Sequence, residues 1–166
     1  LHIAAKEGCT NTIPGLIEAG CSIKNLDYQH WTPLHTAVAH NQKDVCFTLL
    51  GLGADIEAKD SQGKTPLHIA CQAGSGAVAS MLLKAESDVN ATDNDDMTPV
   101  HIAVIHQHTQ TLKALLENGH SIELGKATKE NLNALQLACA YGHRQIIWQL
   151  GSQDVGFLNT QSTEGD

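Results

Sequence analysis

The sequence predicts an all-α solenoid, a line of stacked helix-turn-helix units sharing one elongated core. Three of its four prolines, Pro33, Pro66 and Pro99, are spaced 33 residues apart. His2, His35, His68 and His101 keep the same spacing. A fixed period of this length marks stacked repeats, because a single short helix pair cannot bury its own apolar stripe and must lean on its neighbours. Within each period two short helical patterns flank a turn residue, which makes the repeated unit helical.

The first helix of each unit starts at a Thr-Pro step. Thr32-Pro33-Leu34-His35-Thr36-Ala37, Thr65-Pro66-Leu67-His68-Ile69-Ala70 and Thr98-Pro99-Val100-His101-Ile102-Ala103 are three copies in phase. A threonine hydroxyl can cap orphan N–H groups, and proline forfeits nothing at the first helical position. Leu1-His2-Ile3-Ala4-Ala5 is the tail of the same motif, and Asn133-Ala134-Leu135-Gln136-Leu137-Ala138 is a degenerate copy lying 35 residues after Thr98. The two extra residues are expected in the segment Glu123 to Leu132, as a loop insertion, since loops absorb added length. Gly8, Asn41, Gly74, Gln107 and Gly142 mark the turn after the first helix, where left-handed backbone suits glycine and asparagine and strains glutamine. The second helix then carries the apolar stripe: Val45, Leu49 and Leu50; Val78, Leu82 and Leu83; Leu112, Leu115 and Leu116; Ile146, Ile147 and Leu150. In the first unit Pro14 and Gly15 weaken that helix.

The period and the Thr-Pro-Leu-His-x-Ala motif resemble the ankyrin repeat, over essentially the whole chain. The resemblance implies an ankyrin-repeat solenoid whose units carry projecting β-turn fingers, here Asp27-Tyr28-Gln29-His30-Trp31, Asp60-Ser61-Gln62-Gly63-Lys64 and Asp93-Asn94-Asp95-Asp96-Met97. The family's finger glycine survives only at Gly63; His30 and Asp96 are residue types that enter left-handed geometry least reluctantly. The units are then residues 1–26, 27–59, 60–92, 93–126 and 127–159. Residues 160–166 open a further unit, Ser162-Thr163-Glu164-Gly165-Asp166 matching its finger, so a segment of a longer array is expected. The resemblance gives Thr32, Pro33, His35, Thr65, Pro66, His68, Thr98, Pro99 and His101 structural roles, each histidine bonding its motif threonine and the backbone of a neighbouring loop.

Composition argues against several functions. The formal net charge of −8 and the scatter of cations from Lys6 to Arg144 disfavour a phosphate backbone as partner. No stretch is long and apolar enough for a membrane-spanning helix. The five cysteines form no CxxC pair, which points away from zinc and disulfides and towards a reducing, intracellular setting, cytoplasmic or nuclear. Cys71 and Cys139 follow the motif alanine and are expected to be buried. No nucleophile, phosphate-loop or zincin signature is present, so neither catalysis nor a cofactor is expected. The motif histidines, one per stacked unit about 8–10 Å apart, cannot share a metal ion. Asp93-Asn94-Asp95-Asp96 lacks the glycine and closing glutamate of a calcium loop.

What remains is surface. The resemblance implies a protein–protein interaction scaffold binding its partner on a concave face of finger tips and first helices, here Tyr28, Trp31, His40, Lys64, Gln72, Asp95, Met97, His106 and Tyr141. The alternative is a regulatory or targeting array of a larger enzyme or channel. Tyr28 and Trp31 put two of the chain's few aromatics into one finger, and both types are enriched at binding hot spots. Asp27, Asp60, Asp93, Asp95 and Asp96 are expected to project as an acidic rim that favours a basic partner segment. Phe47 and Trp148, placed alike on the second helices at a position the family usually leaves polar, are expected to tuck against a neighbour, the alternative being a second contact surface on the convex side. Asn90 stands in a context that resembles asparaginyl hydroxylation sites of ankyrin repeats.

Overall fold

The computed structural model describes residues 1–119 and 121–152. Among them are ten α-helices and no β-strand. In chain order these are α1 (His2–Lys6), α2 (Ile13–Glu18), α3 (Pro33–Ala39), α4 (Lys43–Gly51), α5 (Pro66–Gln72), α6 (Gly76–Lys84), α7 (Pro99–Ile105), α8 (Thr109–Asn118), α9 (Ala134–Ala140) and α10 (Arg144–Gly151). First helices touch in the order α1, α3, α5, α7, α9, and second helices in the order α2, α4, α6, α8, α10. Two rows result, and the core lies between them: Leu34, Leu49, Leu67, Leu82, Leu112, Leu115 and Ile146 are fully buried. Helices this short do not persist alone in water, so stacking stabilises them.

Each first helix is started by a reciprocal cap. The Thr32 N–H donates to His35 Nδ1 at 3.2 Å while the His35 N–H donates to Thr32 Oγ1, and Thr65 with His68 and Thr98 with His101 repeat the pair. The degenerate fifth copy rebuilds the same box from amides. The Asn133 N–H donates to Gln136 Oε1 and the Gln136 N–H to Asn133 Oδ1, both at 2.9 Å. Two orphan donors are thereby satisfied in each case, which is why the motif tolerates the exchange.

The first helices end alike. At Gly8, Asn41, Gly74, Gln107 and Gly142 the backbone is left-handed, with φ from 55° to 75°. The N–H that follows returns to the carbonyl of the motif alanine, as from Gln42 to Ala37, Ser75 to Ala70, His108 to Ala103 and His143 to Ala138. This is the Schellman closure. At Gly74 a second reason for glycine appears, since a Cβ there would stand 2.8 Å from the His108 ring, which lies across it.

The two extra residues do not lie in Glu123 to Leu132. The turn Glu123–Lys126 and the finger Thr128–Leu132 are each displaced by 35 residues from Asp88–Ala91 and Asp93–Met97, so the added length precedes them. It is taken up where α8 runs on to Asn118 and the chain then turns at Ser121, whose φ of 56° matches that of Glu86 at 67° in the previous unit. The physical reason is that the downstream turn and finger are tied to the preceding unit: Asn90 Oδ1 accepts from the Glu123 N–H and the Asp95 carbonyl from the Lys129 N–H. In the first unit, α2 is only six residues long and follows a 3-10 turn at Thr10–Thr12, as Pro14 and Gly15 foreshadow. The reading of residues 160–166 as a further unit, and the end of the fifth unit at 153–159, lie outside the described residues.

Candidate functional site

Asp27–Trp31, Asp60–Lys64 and Asp93–Met97 form fingers, each closed by a 3.0 Å bond from the first N–H to the last carbonyl. Thr128–Leu132 is a fourth. It is hidden in the sequence because threonine replaces the leading aspartate, although counting 35 residues from Asp93 would have found it. His30, Gly63, Asp96 and Asn131 take the left-handed corner, with φ between 57° and 76°. Neighbouring fingers are joined edge to edge, Ser61 N to Gln29 O at 3.3 Å, Asn94 N to Gln62 O at 2.9 Å and Lys129 N to Asp95 O at 3.2 Å.

The acidic rim is smaller than the charge count suggests. Asp27 Oδ1 accepts from the N–H groups of Gln29 and Trp31, Asp60 Oδ1 from those of Gln62 and Lys64, and Asp93 Oδ1 from those of Asp95 and Met97, all within 3.0 Å. These three carboxylates lock their own turns. Asp95 and Asp96 alone of the five are exposed, and Asp95 stands 3.9 Å from Lys129 Nζ.

The motif histidines fix the finger row from behind. Nε2 of His2, His35 and His68 reaches the carbonyls of Trp31, Lys64 and Met97 at 2.8, 3.2 and 3.0 Å. In His35 and His68, Nδ1 accepts from the threonine N–H, so the ring proton sits on Nε2 and is donated to the next unit. Burial lowers the pKa of His35, His68 and His101, with nearby backbone carbonyls and aspartates pulling the other way. His101 breaks the series: its buried Nε2 reaches no finger carbonyl in hydrogen-bond geometry among the described residues, and the backbone carbonyl acting on its ring is that of Lys126.

The expected site residues divide into anchored and free groups. Trp31 is half-buried against the core, donates from Nε1 to Asp60 Oδ2 at 3.1 Å and stacks on His35 with centroids 6.4 Å apart. Met97 is also half-buried, and Lys64 reaches from its finger to Gln72 Oε1 at 3.0 Å. Trp31, Lys64 and Met97 therefore occupy one position in three successive fingers, and Leu132 continues the row. Tyr28 projects freely at 90% exposure. Tyr141 is exposed and stacks on His143, and exposed His106 stacks on His108, with ring centroids 5.7 and 5.9 Å apart. Partial burial, then His108 and Lys64, lowers the His106 pKa. His40 is exposed with Nδ1 2.9 Å from the Thr36 carbonyl.

Three expectations about the remaining surface change or gain detail. Cys71 is fully buried, and burial pushes its thiol pKa up, but Cys139 is exposed because no further described unit covers α9 as α7 covers α5. Phe47 and Trp148 do not tuck inward: they are 72% and 74% exposed, since the outer side of the second-helix row carries no described layer. Asn90 is half-buried and uses both ends of its amide, donating to the Ser121 carbonyl at 2.8 Å and accepting from Glu123 N–H at 2.9 Å. Among the described residues, no three metal-binding side chains converge, and no helix is long and apolar enough to cross a membrane.

Short regions of long proteins resemble this chain. Protein phosphatase 1 regulatory subunit 12A of Mus musculus and of Rattus norvegicus is 40% identical over 50 residues, which is 30% of this chain and 5% of that protein. An ankyrin and IPT/TIG repeat-containing protein of Schizosaccharomyces pombe shows the same identity over 50 residues, 30% of this chain and 4% of its own length. The chain thus spans about a twentieth of these relatives. The family model described as ankyrin repeats matches residues 1–60, 52–126 and 85–161. With capped helix pairs, edge-joined fingers and a histidine ladder in the regions so matched, the chain belongs to the ankyrin-repeat family.

Proposed function

We propose that this chain is a non-catalytic scaffold that binds a protein partner across the face built by its fingers and first helices. Ankyrin repeats are generally protein–protein interaction modules. The observation that carries the reading is the row Trp31, Lys64 and Met97, whose carbonyls are held by the histidines of the preceding units. A chemically varied row on a fixed backbone loses little entropy on binding, which favours recognition. Tyr28, His40, Gln72, Asp95, His106 and Tyr141 flank it and supply adaptable contacts. Asp95 and Asp96 favour a basic segment at one end. The five thiols, all free, suit an intracellular setting.

A second reading makes the array the regulatory or targeting part of a larger assembly, and the similarity to a phosphatase regulatory subunit favours it. Hydroxylation of Asn90 would require its loop to open, because the side chain is bonded at both ends. Mass spectrometry after exposure to an asparaginyl hydroxylase tests it.

The main test is a photo-crosslinking pull-down from lysate with the parent chain and a Tyr28→Ala/Lys64→Glu/Tyr141→Ala variant. All three side chains are at least partly exposed, so the variant should melt like the parent while losing the crosslinked partner. Unchanged capture by the folded variant would move the interface off this face.

A further inference from the structure

We propose that the groove between α4 and α6, in the outer row of helices, is a second docking site for a short helical segment that presents a large apolar side chain between two carboxylates. The proposal is independent of the finger face. The groove has a volume of about 380 Å³ and is lined by Lys43, Phe47 and Leu50 of α4 and by Ala77, Met81 and Lys84 of α6. Its cause is uneven stacking. α6 packs closely on α8, where Gly76 lies so near the next helix that a Cβ would sit 3.4 Å from the Gln110 carbonyl oxygen, and packs more loosely on α4. The open side leaves Phe47 at 72% exposure as one wall.

Charge selects the occupant. Lys43 opens α4 and Lys84 closes α6, and no carboxylate lines the groove between them. Neither ammonium group has an ion pair or hydrogen bond among the described residues. The two helices are equivalent in successive units, so Lys43 aligns with Gly76, eight residues before Lys84. At 1.5 Å of rise per residue, the two cations are offset by about 12 Å along the groove. Carboxylates seven or eight residues apart on a partner helix match that offset, with the apolar anchor midway over Phe47, Leu50 and Met81. In a chain of net charge −8, the two ammonium groups give an acidic peptide a local point of attraction at this groove.

The test uses a fluorescein-labelled helical peptide with Glu at positions i and i+7, Leu at i+3 and i+4, and Ala and Gln elsewhere. A sister peptide carries Lys for both Glu. Anisotropy titration should show saturable binding of the Glu peptide, weakened about tenfold or more by Lys43→Glu/Lys84→Glu and by Phe47→Ser, with the melting temperature retained and Tyr28→Ala without effect. The Lys peptide should bind about tenfold more weakly or not at all. Equal binding of both peptides, no saturable binding, or indifference to the groove substitutions overturns the proposal. So does sensitivity to Tyr28→Ala in place of Phe47→Ser, which would seat the peptide on the fingers. Sedimentation of the chain alone should show a monomer; a dimer dissolved by Phe47→Ser would assign the groove to a second copy and reject a peptide partner.

Discussion

The junction of the second and third units and the junction of the fourth and fifth use the same motif and end in different states. In the former, His35 reaches the Lys64 carbonyl, Ser61 N–H meets Gln29, Trp31 bonds Asp60, and the Glu57 carboxylate accepts from Ser87 Oγ and Asp88 N–H. In the latter the finger bond from Lys129 to Asp95 survives, but His101 Nε2, Thr111 Oγ1, Thr128 Oγ1, His143 Nε2 and Gln149 Oε1 are buried without partners among the described residues. All five atoms belong to the fourth and fifth units, on either side of the two-residue insertion. The lesson is that a repeat motif caps its own helix regardless of context, whereas the bonds between units depend on register.

The largest effects should come from the core. Leu82→Ala, at a fully buried position in the middle of the array, should cost about 2–5 kcal/mol and lower the melting of the whole chain. Ile146→Ala removes comparable volume from the fifth unit and should appear first as lost amide protection there, with the second and third units still protected. Hydrogen exchange that showed equal loss everywhere would erase the distinction between the junctions.

Acid should act on the histidine ladder. Burial holds His35, His68 and His101 below the free imidazole value of about 6.5, so the unfolded chain binds protons that the folded chain refuses. Their contribution is complete above about pH 6.5 and is lost as pH falls below it towards the lowered folded values. The melting temperature should therefore drop between neutral pH and pH 5. His68→Gln, which can rebuild the cap as Gln136 does, should flatten that profile; an unchanged slope would show that other groups titrate.

His68→Ala should be the costlier of two matched truncations, about 2 kcal/mol against about 1 kcal/mol for His101→Ala, because only His68 closes a bond to the following unit. Urea unfolding of both variants measures the gap, and equal losses would mean that His101 is satisfied in solution. The smallest contrast is between two buried threonines. Thr65→Val breaks the contact with His68 and should cost about 1 kcal/mol, while Thr111→Val removes an unpaired hydroxyl and should be neutral or stabilising by about 0.5 kcal/mol.

The equivalence of Trp31, Lys64 and Met97 was legible from the period of the motif, while the finger face itself came from the resemblance to ankyrin repeats. Leu132 was not, because the insertion shifts it and its finger begins with threonine. Asp27, Asp60 and Asp93 were misread as projecting charge even though their role is local turn chemistry, an aspartate accepting from the N–H two residues on.

The sequence by itself determined the Thr-Pro and Asn-Gln caps and the left-handed turns at Asn41 and Gln107, because each rests on bonds within about six residues. Tertiary structure alone decided the rest. It chose the end of α8 as the place for two extra residues, left His101 without the carbonyl that His68 finds, and opened the groove beside Phe47 by seating Gly76 against α8. Those outcomes depend on how closely and in what register one unit meets the next, a property of pairs of units that no single copy of the motif encodes.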